Sequence, residues 1–137
     1  MTDCLFCKII NKEIPSNIVY EDENTIAFLD IAPVNEGHTL VIPKNHSTNV
    51  FDIDEEDFKH LAVTVRKIAH AVKSATNAEG VNIGMNNEEA AGQVIFHPHV
   101  HVIPRFSGDG LPTWDRHKNP KTDLAEIAQK IKSEIAL

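Results

Sequence analysis

Apolar residues come in short runs over the first third of the chain and then at helical spacing over the next. Leu5-Phe-Cys-Lys-Ile-Ile10 is a compact apolar segment closed by Asn11-Lys-Glu13 and Pro15, and it predicts a short first helix. Ile18-Val-Tyr20 and Thr25-Ile-Ala-Phe-Leu29 are β-prone runs around the polar Glu21-Asp-Glu-Asn24, which predicts a hairpin. Pro33 to Gly37 makes the next turn, and His38-Thr-Leu-Val-Ile42 reads as a third strand stopped by Pro43. An antiparallel meander is the simplest arrangement.

From Phe58 the period changes to three and four: Phe58, Leu61, Ala62, Val65, Ile68, Ala69 and Val72 form one stripe that ends near Gly80. Asp54 caps this helix, with Glu55, Glu56 and Asp57 in the turn where free N–H groups and the helix dipole favour negative charge. Ile53 and Phe58 are placed for a hydrophobic staple. The helix is expected to cross one face of the sheet. Val81 to Met85 predicts a strand, Asn86 to Gly92 a loop, and Gln93 to Arg105 a strand that carries several histidines. Leu124, Ile127, Ala128, Ile131 and Ile135 mark a C-terminal helix within a tail over 107–137. Strands, a crossing helix and further strands predict an α+β fold in one domain, 1–137.

Composition narrows the function. Thirteen Lys and Arg against twenty Asp and Glu leave a net charge of −7, which disfavours extended nucleic acid or an anionic membrane as partner. No apolar run spans a bilayer, and the N-terminus has no secretory pattern, so a cytoplasmic location is expected. A reducing compartment makes Cys4 and Cys7 read as half a metal site or as small core residues rather than a disulfide.

Eight histidines stand out in so short a chain. Phe96-His-Pro-His-Val-His-Val-Ile-Pro104 alternates strictly, so a strand would bring His97, His99 and His101 to one face. A tri-histidine metal site would need the rings to converge on one ion, whereas same-face positions on a strand lie roughly 7 Å apart. Nucleophilic catalysis fits that spacing better: one imidazole attacks phosphorus while its neighbours donate to the phosphate and manage the leaving-group proton. His60 and His70 fall off the apolar stripe of the long helix, and with His117 they read as solvent-facing.

These residues are similar to those of the histidine triad (HIT) family of nucleotide-binding proteins over nearly the whole chain. The match runs through Phe6-Cys-Lys-Ile-Ile10, Ile14-Pro15, Ala27-Phe-Leu-Asp-Ile31, Gly37-His38, Leu40-Val-Ile-Pro-Lys44, His46, Asn86, Gly92-Gln93 and His97 to Pro104. It resembles most the small bacterial members of the branch that cleaves nucleoside phosphoramidates and related nucleotide esters. The resemblance implies a homodimer whose two sheets join into one, with a purine-nucleotide conjugate as substrate. By it, His99 is the nucleophile that becomes nucleotidylated, His101 lines the phosphate pocket and assists protonation, and His38 approaches from the neighbouring strand. Gln93 binds the phosphate or bridging atom, Asp30 the ribose hydroxyls, and Asn86 lies on the sugar–phosphate side. Leu5, Phe6, Ile9, Phe28 and Ile31 form apolar walls for the base. Taken alone, Phe6, Phe28 and Ile31 could be plain core, Asp30 a turn residue and Asn86 a loop residue.

Two departures bear on the activity. Val94 stands where many members of the phosphoramidase branch carry a serine, which leaves the leaving-group preference open. Pro98 resembles the His-Pro-His of related nucleotidyltransferases, but those carry glutamine in the place of His101, so a hydrolase is favoured. A dinucleoside polyphosphate hydrolase, or a nucleotide-binding regulatory module acting through a protein partner, are the alternatives. Some bacterial members hold structural zinc through residues corresponding to Cys4, Cys7, His46 and His97, which implies the same here; buried thiols with His46 in a turn is the other reading.

Overall fold

The computed structural model describes residues 3–116, 119, 121 and 123–135. Helix α1 (Leu5–Ile10) leads into the hairpin β1 (Ile18–Glu21) and β2 (Thr25–Leu29), followed by β3 (Thr39–Pro43), the long helix α2 (Glu55–Thr76), β4 (Gly80–Gly84), a 3-10 turn at Glu89–Ala91, β5 (Val100–Arg105) and α3 (Leu124–Glu134). The sheet is antiparallel in the order β1-β2-β3-β5-β4, so the expected meander holds for three strands. β5 then inserts beside β3 and leaves β4 at the edge.

The two-residue strand period divides the apolar side chains between two faces. Ala27, Val41, Val100 and Val102 point to one face and pack against Leu61, Val65, Ile68 and Val72 of α2. Ile26, Phe28, Leu40 and Ile42 point to the other and pack against Phe6 and Ile9 of α1. Because Val100 and Val102 face α2, His101 between them must face α1. Asp30 and His38 continue the α1-facing parity of Phe28 and Leu40 at the strand ends. Leu40 is the register partner of His101. Parity on three adjoining strands thus gathers the titratable residues on the face opposite the long helix.

The structure corrects several expected boundaries. The last strand begins at Val100, not Gln93, because Pro98 has no N–H to contribute to a ladder and residues 93–99 are held by side-chain contacts instead. α2 ends at Thr76 because Asn77 adopts the left-handed conformation (φ 57°) and its N–H returns to Lys73 and Ser74. Phe58 and Ala62 fall off the buried stripe, while Thr64 joins it, bonding Thr25 at 2.8 Å between hydroxyls inside the core. Asp54 is the N-cap as expected and accepts from the Glu56 N–H.

His60 and His70 are exposed, whereas His117 lies outside the described residues. The apolar side chains of α3 are also exposed. Gly37, at φ +101°, approaches the end of α2 so closely that a Cβ would meet Thr76 Cγ2 at 2.7 Å. No helix among the described residues is long and apolar enough to cross a membrane.

Candidate functional site

His99 sits one residue before β5, and its ring is 8% exposed against the edge of Phe6, with centroids 5.1 Å apart. Its Nδ1 lies 2.7 Å from the backbone oxygen of His97. A carbonyl only accepts, so Nδ1 carries the proton and Nε2 keeps its lone pair. The His101 ring is 5.2 Å from that of His99, and its Nδ1 lies 2.9 Å from His38 Nε2. The Val34 N–H donates to His38 Nδ1 at 3.0 Å, so neutral His38 holds its proton on Nε2 and donates it to His101 Nδ1. His101 is left with a proton on Nε2. Two backbone groups therefore fix complementary roles: His99 offers a lone pair and His101 a donor.

Burial disfavours the charged form of all three rings. It pushes His101 down to about 4, aided by the neighbouring His99 and His38, and it lowers His99 and His38 against the opposing pull of the Asp30 carboxylate. Asp30 Oδ2 lies 3.6 Å from His38 Nε2, and its Oδ1 accepts from the Ala32 N–H.

The apolar positions divide in two. Phe6, Ile9 and Phe28 are buried beside the triad, with Phe6 and Phe28 edge-to-face at 5.5 Å. Leu5 is exposed, and Ile31 stands 94% exposed at the rim, packed into neither core cluster. Asn86 is exposed next to Gly92.

The amide of Gln93, the residue expected at the phosphate, is engaged within the protein. Oε1 accepts from the Glu88 N–H (2.8 Å) and Asn49 Nδ2 (3.1 Å), and Nε2 donates to the carbonyls of Thr48 (2.8 Å) and Ile95 (3.1 Å). It ties the loop before the triad to the segment before α2. Asn49, a residue the sequence did not single out, completes this network: it is 1% exposed and also donates to Glu88 Oε2 at 2.7 Å. Glu88 sits at φ 78°, ψ 157°, a conformation nearly confined to glycine, so the network holds a strained backbone next to the site. A short polar side chain between two turn signals carries no periodic pattern, which is why Asn49 passes unnoticed in the sequence.

His97 does not share the pocket of His99 and His101. Its ring is completely buried and turns toward α1, where Cys4, Cys7, His46 and His97 bring one ligand atom each into a single cluster. The Pro43 carbonyl accepts from His97 Nε2–H at 2.8 Å, which leaves the Nδ1 lone pair facing the cluster. His97 Nδ1 is 3.5 Å from Cys4 Sγ, 3.7 Å from Cys7 Sγ and 3.2 Å from His46 Nδ1, and Cys7 Sγ is 3.4 Å from His46 Nδ1.

A tetrahedral zinc ion with bonds of about 2.3 Å to sulfur and about 2.0 Å to nitrogen requires S···N edges of about 3.5 Å and an N···N edge of about 3.3 Å. The cluster matches those edges, so its donor set fits zinc. Burial and the adjacent Cys4 push the Cys7 thiol up to about 11, a cost that a bound divalent cation removes by stabilising the thiolate. Among the described residues, the only other group of three or more such ligands is Asp30, His38 and His101. There His38 presents a protonated Nε2, which cannot ligate.

Comparison with known proteins agrees with this geometry. The SMU.412c protein of Streptococcus mutans superposes with a TM-score of 0.93 at 47% identity, over 99% of this chain and 87% of that one. A zinc-bound histidine triad family protein of Mycobacterium smegmatis gives a TM-score of 0.78 at 38% identity, over 97% and 99% of the two chains. Adenylylsulfatase HINT3 of Arabidopsis thaliana is 41% identical over 109 residues, 80% of this chain and 55% of that protein. The HIT domain family model matches residues 11–108, and with His38, His99 and His101 already seen to be gathered in one site the chain belongs to the HIT family.

Proposed function

We propose that this protein is a nucleotide hydrolase that cleaves the bond between the α-phosphate of a purine nucleotide and its leaving group through a nucleotidyl-His99 intermediate. The observation that carries this reading is the 2.7 Å bond from His99 Nδ1–H to the His97 carbonyl, which leaves Nε2 unprotonated in a site that keeps the ring neutral. The Nε2 lone pair attacks the α-phosphorus and forms the P–N bond as the bond to the leaving group breaks. His101 Nε2–H supplies the proton to the departing atom, and the negative charge this leaves on His101 is balanced by the positive charge formed on the nucleotidylated His99 ring, whose centroid lies 5.2 Å away, while His38 Nε2–H stays bonded to His101 Nδ1. Water then attacks the same phosphorus, its proton returns to His101, and the P–N bond breaks to release the nucleoside monophosphate.

Asp30 takes the ribose hydroxyls on this reading, and Phe6, Ile9 and Phe28 back the base, with Leu5 and Ile31 at the rim. Asn86 serves the sugar–phosphate side, and Gln93 shapes the loop rather than touching phosphate. Zinc held by Cys4, Cys7, His46 and His97 would cross-link α1 to the sheet. The reading also includes a homodimer joined through β4, whose edge position and exposed Ile83 support pairing, and a cytoplasmic location, which suits two free thiols.

Quenching the protein with adenosine 5′-phosphoramidate and mapping the adduct by mass spectrometry tests the mechanism. An adenylylated His99, and loss of turnover in His99→Ala, are expected. Native turnover in His99→Ala would overturn it. A panel including adenosine 5′-phosphosulfate and a dinucleoside polyphosphate separates leaving groups; the named activity of the Arabidopsis relative makes the sulfate conjugate the first comparison.

A further inference from the structure

His97 is connected at three points. Its Nδ1 faces the Cys4–Cys7–His46 cluster, its Nε2–H is held by the Pro43 carbonyl, and its own carbonyl accepts the Nδ1 proton of His99. The residue between the two histidines, Pro98, is fully buried and has one backbone dihedral locked by its ring. Little torsional freedom is left to absorb a displacement of His97 before it reaches His99. A second link runs through α1: Phe6 lies between Cys4 and Cys7 in sequence, and its ring meets His97 and His99 edge-on at 5.9 and 5.1 Å. Both the backbone bond that sets the tautomer of His99 and the side chain that packs its ring are anchored on the thiol–imidazole cluster.

We infer that His97 is a positioning residue that couples the Cys4–Cys7–His46–His97 cluster to His99, so that filling the cluster with zinc steadies the His97 carbonyl that sets the tautomer and placement of the nucleophile. This rests on the hydrolase reading for its catalytic consequence, but the coupling between cluster and ring is a property of the fold. The His97 Nε2–H is bonded to the Pro43 carbonyl at 2.8 Å, while its Nδ1 lies 3.2–3.7 Å from the three other ligand atoms of the cluster. Zinc would add a directional bond at Nδ1 and fix the residue at both ring nitrogens. A cleft of about 420 Å3 lined by Cys7, Ile10, Asn11, Lys44, Asn45 and His46 opens beside the cluster, and His46 is exposed. The ion can therefore exchange without the core opening. The same cluster that cross-links α1 would make hydrolysis responsive to available zinc.

The test compares zinc-loaded protein, chelator-treated protein and the variant His46→Ala, whose substitution removes an exposed ligand and leaves the buried groups intact. Histidine 15N spectra of the full chain report the tautomer of His99 independently of turnover. A single Nδ1–H form is expected in the zinc-loaded protein, with averaging of the His99 signals on chelation and in His46→Ala. kcat is expected to fall about tenfold, the lower end for loss of an orienting partner around a metal site, with a smaller change in KM. Re-addition of zinc should restore the chelated wild type but not His46→Ala.

Failure to take up zinc would overturn the inference, as would His99 signals and kcat that are indifferent to its removal. The two proposals fail separately. A His99 tautomer that follows zinc in a protein forming no nucleotidyl-His99 upholds the coupling and rejects the hydrolase mechanism. A nucleotidyl-His99 that forms equally well with and without zinc does the reverse.

Discussion

Replacing Gln93 by alanine separates a residue that touches substrate from one that holds a loop. The side chain is 3% exposed and makes four hydrogen bonds, two accepted and two donated. Alanine removes the partner of the Glu88 N–H and of the Thr48 and Ile95 carbonyls; Asn49 Nδ2 keeps its bond to Glu88 Oε2. A buried polar group left without a partner costs about 1–3 kcal/mol, so three groups at the low end, with some recovery by water, predict a loss of about 3 kcal/mol. Urea unfolding followed by circular dichroism reads this as a lower midpoint at unchanged slope. Gln93→Glu keeps the acceptor but turns a carboxylate toward two carbonyls. It should be destabilised at neutral pH and partly recover as the pH falls, since such a carboxyl titrates above its unfolded value and its protonated form restores one donor. A Gln93→Ala protein with an unchanged urea midpoint, but with kcat/KM on adenosine 5′-phosphoramidate reduced a hundredfold, would rule out a loop-holding role and put Gln93 in direct substrate contact.

Glu88→Gly and Glu88→Ala both delete the carboxylate bond to Asn49, but only glycine relieves the φ 78°, ψ 157° backbone, so alanine should be the less stable of the pair by about 1–3 kcal/mol in thermal or urea unfolding. Stability should rise with pH between about 4 and 6.5, because in that window the unfolded chain binds protons that the buried histidines of the folded state refuse. His101, held down to about 4, contributes about 3 kcal/mol at most, lost as pH falls, and His101→Gln should flatten the measured profile. Leu61→Ala, at the centre of the α2 contact with the sheet and 1% exposed, should cost about 2–5 kcal/mol by denaturant unfolding without changing the residues that turn over substrate.

Local periodicity explains what could be read in advance. The hairpin, the third strand, the capped helix and the C-terminal helix follow from two- and 3.6-residue patterns with their turn and cap residues, all carried within a few positions of chain. Asp54 as cap and Leu61 through Val72 as buried stripe are examples. The pattern misleads where side-chain bonding replaces the ladder: the alternation of His97 to Pro104 predicts a longer strand than forms, since Pro98 cannot donate and Gln93 is committed to the loop. Phe58 illustrates the limit of periodicity at a helix end, where the ring keeps the spacing of the stripe but stays 40% exposed.

The types and order of most elements, the histidine alternation and the Cys-x-x-Cys spacing are legible in the chain, because each is a relation between near neighbours. How the histidines are shared between two sites is settled by contacts between distant segments. Pairing of β3 with β5 brings His38 to His101, and docking of α1 on the sheet draws the His97 ring away to Cys4, Cys7 and His46. The protonation pattern was decided there too, since the tautomers of His38, His97 and His99 are set by the Val34 N–H and by the carbonyls of Pro43 and His97. Backbone groups carry no residue-specific signal in a sequence; they acquire a chemical role only when folding aims them at a particular ring.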